Sequence, residues 1–167
     1  METILLLGDS LIEYGDWDTL LPGYRSINRG VAGETAGGLA GRLIGEIHNV
    51  DDPDHIIILS GTNDLLMGDH SFSAVFETML PRLRQFCPHA DILVVGLAPL
   101  RMVSDLVEEM NSRLEKIALE RGCRFLDLAE PFALMCRPVG NPCFLMDGVH
   151  FTAHGYRVLA EAIDDVL

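Results

Sequence analysis

Basic residues are scarce in this chain: Lys and Arg number 12 against 25 Asp and Glu, a formal net charge of −13. That balance disfavours attraction to nucleic acid or to an anionic bilayer, and leaves the sign of any small substrate open. Long apolar runs are lacking too. Ile4-Leu5-Leu6-Leu7 is far too short to span a membrane and no basic region precedes it, so it reads as a buried strand. The expectation is a cytoplasmic chain without stable membrane insertion; a mature chain freed of a leader would present the same pattern. Cysteine is sparse. Cys87, Cys123, Cys136 and Cys143 form no CxxC pair and have no histidine at zinc spacing, so no structural metal is expected. Buried thiols are favoured over a disulfide between Cys136 and Cys143. The glycine-rich stretch Asn28 to Thr35 lacks the spacing and position of a dinucleotide fingerprint, and no P-loop lysine occurs, so no cofactor is expected.

What is present is a hydrophobic fraction of 49% with 22% charged residues over 167 positions, which excludes a disordered chain and suits one domain, 1–167. Strand-like runs, Thr3–Leu7, Arg25–Asn28, Ile56–Leu59, Ile92–Val95 and Arg124–Asp127, alternate with helical patterns. The third and fourth runs are continuously apolar, as strands buried on both faces of a parallel sheet are. Helical stripes run through Leu39 to Ile47, Phe72 to Phe86, Leu106 to Ile117 and Tyr156 to Val166. Pro81 is expected to kink or split the second. Ser104-Asp105 opens the third and Gly122 ends it. The alternation predicts an α/β three-layer sandwich with a central parallel sheet of about five strands.

In such a sheet the working residues lie beyond the carboxyl ends of the strands. Gly8-Asp9-Ser10 follows the first strand and presents a serine. Gly61-Thr62-Asn63-Asp64 follows the third as a polar turn. There the Asn63 amide can donate to a developing oxyanion, while Asp64 ties down backbone N–H groups. The loop after the second strand offers a backbone N–H to the same oxyanion. Asp147-Gly148-Val149-His150 precedes the last helix with a spacing that lets the carboxylate orient one ring nitrogen and leave the other to a hydroxyl. His154 falls inside the helix and reads as capping or solvent-facing. The contexts of His48, His55, His70 and His89 suggest no pairing.

Together these blocks, Gly8-Asp9-Ser10-Leu11, Asn28 to Gly33, Gly61-Thr62-Asn63-Asp64 and Asp147-Gly148-Val149-His150, resemble the SGNH hydrolase family, also called GDSL esterases and lipases. The resemblance spans about the whole chain in the right order. It implies a flavodoxin-like fold, Ser10 as nucleophile, His150 as base and Asp147 as its orienter. It also implies oxyanion donors at Ser10 N–H, Gly33 N–H and the Asn63 side chain. The expected reaction is hydrolysis of short- to medium-chain carboxylic esters or thioesters, with water as second substrate. Apolar segments around the site put Leu65, Met67, Leu100 and Phe144 forward as substrate contacts. A carbohydrate O-acetylesterase is the alternative, with Arg101, Arg137, Asn141 and Trp17 as polar or stacking contacts. A flavodoxin-like binding module with a decayed site would require Ser10 and His150 to lie far apart. The chain is expected to be a monomer or homodimer.

Overall fold

The computed structural model describes residues 1–167. Its centre is a five-stranded, wholly parallel sheet in the order β2-β1-β3-β4-β5. The strands are β1 (Thr3–Gly8), β2 (Arg25–Gly30), β3 (His55–Leu59), β4 (Asp91–Val95) and β5 (Arg124–Leu126). Register is fixed by alternate burial on two faces. Leu5, Leu7, Ile56, Ile58, Ile92 and Val94 face one core with α3 (Ala36–His48), α5 (Ser73–Phe86) and α6 (Ser104–Glu120). Ile4, Leu6, Ile57, Leu59, Leu93 and Val95 face the other with α1 (Ser10–Glu13), α2 (Trp17–Leu20), α7 (Ala129–Met135) and α8 (Ala153–Asp164). Because both faces are covered, β1, β3 and β4 carry no polar alternation. The expected three-layer α/β sandwich is what forms.

Strand order reverses between β1 and β3, and the carboxyl ends of strands at such a point open a crevice. Ser10 begins α1 directly after β1, and Asn63 lies in α4 (Thr62–Leu66) directly after β3, so both flank it. The stretch from Gly61 to Asp64, expected as a turn, is thus the start of a short helix. A glycine is required where β1 ends, since a Cβ on Gly8 would stand 2.1 Å from the Leu59 carbonyl oxygen of β3.

Pro81 does not split the second long helix; α5 runs unbroken through it. The proline ring leaves the carbonyl four residues back without its usual donor. That carbonyl, on Glu77, accepts from the Arg121 Nε–H at the end of α6 at 3.4 Å. The cysteine expectation also needs correction. Cys87 and Cys123 are buried free thiols, but Cys136 and Cys143 form a disulfide with a Cα separation of 5.3 Å. The end of α7 and the segment before the Asp147 turn meet there, within bridging distance. His55 is also paired, with its Nε2 3.3 Å from Glu2 and its ring edge-on to Tyr24. No helix is long and apolar enough to cross a membrane.

Candidate active site

Asp9 is the N-cap of α1, and its Oδ1 accepts from the Leu11 N–H at 2.9 Å. Ser10, next in line, begins the helix with an N–H that has no intrahelical carbonyl to reach. The residue is 6% exposed, and its Oγ lies 2.9 Å from His150 Nε2. His150 Nδ1 is in turn 2.6 Å from Asp147 Oδ2, while Asp147 Oδ1 accepts from the Val149 and His150 backbone N–H groups. The turn carrying this pair is closed from both sides. The Leu145 N–H donates to the His150 carbonyl at 2.8 Å, and Phe144 bridges antiparallel to Phe151. Two residues on, Thr152 caps α8. A serine hydroxyl, an imidazole and a carboxylate thus stand in line, ordered so that the outer nitrogen faces the hydroxyl.

Asn63 Nδ2 donates one of its two hydrogens to the Glu34 carbonyl at 2.9 Å, leaving the other free. Asp64 Oδ2 accepts from the Ala36 N–H at 2.9 Å, so this carboxylate does tie down backbone, at the start of α3 where the loop after β2 ends. The loop is secured further by the Val31 N–H on the Gly8 carbonyl at 2.9 Å and by Arg42, whose guanidinium grips Glu34 at 2.7 Å. Gly33 is exposed, and its N–H donates to no other group of the protein.

The proposed substrate contacts separate. Met67 is 67% exposed and Phe144 is half-buried, so both offer surface. Leu65 and Leu100 pack into the core on the α3 side of the sheet, which leaves them almost no surface for an acyl chain. The sequence gives their hydrophobicity but not which side of a short helix or loop turns inward. His154, expected as capping or solvent-facing, does cap a helix, though not its own: its Nε2 lies 2.9 Å from the Met135 carbonyl at the end of α7 and joins α8 to it. Ser10 and His150 lie in hydrogen-bond contact, which removes the decayed-site expectation.

Residues 6–158 match the GDSL-like lipase/acylhydrolase family. The chain belongs to that family. It is a GDSL-type serine hydrolase acting on esters. Among its relatives, platelet-activating factor acetylhydrolase IB subunit alpha2 of Rattus norvegicus is 24% identical, over 98% of this chain and 75% of that protein. A GDSL-like lipase from Bacteroides thetaiotaomicron superposes with a TM-score of 0.75 at 20% identity, covering 99% of this chain and 87% of the other. The family 3 carbohydrate esterase of Clostridium thermocellum gives 0.81 at 18%, covering 98% and 94%. Such structural likeness shows a shared fold.

Two features of this GDSL hydrolase lie outside the sequence expectations. Tyr14, one helical turn after Ser10, places its ring 5.7 Å from that of His150; the i, i+4 spacing was the available signal. Asp9 is 1% exposed, its Oδ2 has no partner, and burial pushes its pKa up to about 6. The Leu11 N–H and then the charge of His150 pull the other way. Asp147 behaves oppositely. The hydrogen bond from His150, then those from the Val149 and His150 N–H groups, hold it down at about 2. Burial raises the Tyr156 hydroxyl pKa, and the nearby Asp9 charge adds to that.

The Asp9 shift has a direction in stability. Its folded pKa of about 6 exceeds the reference 3.8, so the folded state holds the proton more tightly, and stability falls as pH rises from about 4 to about 6. An Asp9→Asn variant keeps the cap acceptor and lacks the charge. In denaturant unfolding at pH 4 and pH 7.5, wild type is expected to lose on the order of 3 kcal/mol relative to the variant. Parallel pH profiles would show that Asp9 is not desolvated as described.

Proposed function

We propose that the protein hydrolyses short- to medium-chain carboxylic esters or thioesters through an acyl-enzyme on Ser10. The line from Ser10 Oγ through the His150 ring to Asp147, at 2.9 and 2.6 Å, carries this reading. In the first step Ser10 Oγ forms a bond to the acyl carbon as His150 Nε2 takes its proton. The oxygen that becomes negative is met by the N–H groups of Ser10 and Gly33 and by the unused hydrogen of the Asn63 amide. Collapse breaks the bond to the alcohol or thiol, which leaves with the proton from His150. Water then enters, gives His150 a proton, and attacks the same carbon, releasing the acid and restoring Ser10. Asp147 holds the ring tautomer and stabilises the imidazolium, and the buried Asp9 carboxylate adds to that field. Exposed Leu66 and Met67 at the end of α4 favour an apolar acyl group.

The second reading, removal of acetyl from carbohydrate, is favoured by the family 3 carbohydrate esterase likeness over almost the full chain. A substrate panel separates them: p-nitrophenyl esters from acetyl to dodecanoyl, an acyl-CoA and an acetylated xylo-oligosaccharide. The expected kcat/KM is greatest on a short or medium acyl chain. A sharp preference for the acetylated sugar would replace the first reading with the second.

A further inference from the structure

Beside the Asp147–His150 turn lies a cavity of about 550 Å³. Its walls include Phe132, Phe144 and the Cys136–Cys143 bridge, and it shares Leu145 and Gly148 with the turn itself. Although 25 of the 167 residues are acidic, no carboxylate lines it, and two arginines, Arg101 and Arg137, do. Neither guanidinium has an ion-pair or hydrogen-bond partner, a state they share with Arg25, Arg82 and Arg157, whereas Arg29, Arg42, Arg113 and Arg124 are paired with carboxylates; what sets Arg101 and Arg137 apart is that both line one cavity. Arg137 is presented by a small closed loop: its N–H donates to the Asn141 carbonyl at 2.8 Å inside the disulfide ring. The smaller cavity next to this one carries Glu108, Glu115 and Asp127, so charge is sorted by sign between the two.

Position says which part of an ester would occupy the arginine cavity. The leaving oxygen must meet His150 Nε2 to take its proton, so the alcohol lies on the side of the Asp147–His150 turn. Gly33, after β2, lies on one side of Ser10; the cavity, built from segments after β4 and β5, lies on the other. We propose that this cavity binds the alcohol portion of the substrate, and that this alcohol carries an apolar body and an anionic group, a carboxylate or a phosphate. The apolar body rests on Phe144, Leu145 and Met102, the apolar residues of the wall that keep open surface, and the anion meets Arg101 and Arg137 in charge-assisted hydrogen bonds. This rests on the esterase reading above and adds the substrate's alcohol to it.

The test compares three acetate esters of matched leaving group: phenyl acetate, 4-acetoxybenzoate and 4-acetoxyphenyl phosphate, each rate divided by its hydroxide-catalysed rate. Wild type is expected to prefer an anionic ester, and the preferred one identifies the group. R101Q and R137Q are expected to lower the anionic-to-neutral ratio of kcat/KM by about tenfold each, mainly through KM, as loss of a charge-assisted contact does. R82Q, which removes an exposed arginine on α5 far from the cavity, should leave the ratio where it was. A ratio unmoved by R101Q and R137Q, or a wild-type preference for phenyl acetate, overturns the proposal. Hydrolysis of none of the three, with no fluorophosphonate labelling, overturns the esterase reading itself. In that case the alcohol assignment falls with it, and titration calorimetry with 4-hydroxybenzoate and with phenyl phosphate reads the cavity alone: binding of either, weakened by R101Q and R137Q, leaves it an anion site, and binding of neither sinks that too.

Discussion

A Ser10→Ala variant is expected to lose at least about 10⁴-fold in turnover on an activated ester, together with all covalent labelling by a fluorophosphonate. The hydroxyl is what stands 2.9 Å from His150 Nε2, and alanine leaves that nitrogen with nothing to deprotonate. The substitution is clean in other respects. Position 10 is the buried first residue of α1, where alanine suits a helix, and the Asp9 cap on the Leu11 N–H is untouched. The backbone N–H of residue 10 also survives, so the oxyanion donors keep whatever share of rate they supply without a nucleophile. Circular dichroism and a melting temperature close to wild type would show that chemistry, not folding, was removed. Turnover within tenfold of wild type, with labelling retained, would place the nucleophile elsewhere and end the acyl-enzyme scheme.

The fold and the Ser10–His150–Asp147 line were readable from sequence for one reason: each reactive residue lies within a few positions of an element boundary that the sequence marks sharply. Gly8 ends β1 immediately before Ser10, Gly61 precedes α4 and Asn63, and Thr152 caps α8 just after His150. Local signals therefore place Ser10 and Asn63 on one edge of the sheet, and the resemblance of the four blocks to the family joins Asp147 and His150 to them. What escaped depends on contacts between distant segments. Pro81 is tolerated because Arg121, from a different helix, reaches the Glu77 carbonyl. The disulfide depends on how α7 and the segment before Asp147 approach each other, which spacing does not show, and free thiols are favoured from sequence for that reason. Leu65 turns into the core while Leu66 and Met67 turn out, a rotation that one short apolar run does not encode. The arginine cavity is the same kind of feature, since Arg101 and Arg137 come from segments after different strands.

The second large effect is expected at Asp147, whose replacement by asparagine should lower kcat by about 10³-fold while KM changes little. The carboxylate accepts three hydrogen bonds, two from backbone at Oδ1 and one from His150 Nδ1 at Oδ2. Asparagine keeps an oxygen for the backbone pair, so the turn closes as before. The group left facing Nδ1 is an NH₂ donor, which selects the tautomer with the proton on Nε2, aimed at Ser10 and unable to accept from it. The developing imidazolium also loses its partner charge. In a fully buried triad the same change costs roughly 10⁴; here Asp147 is exposed, and water both screens the charge and lets the ring return to the useful tautomer. The loss is therefore smaller than in the buried case, and an Asp147→Glu variant, which restores an acceptor at altered reach, should recover part of it. The low pKa of Asp147 adds a pH signature. Held at about 2 in the folded state against 3.8 unfolded, the carboxylate contributes stability above pH 4 that is lost as pH falls towards 2, and Asp147→Asn removes that dependence. An Asp147→Asn enzyme retaining more than a tenth of wild-type kcat would show that His150 is oriented by something other than this carboxylate.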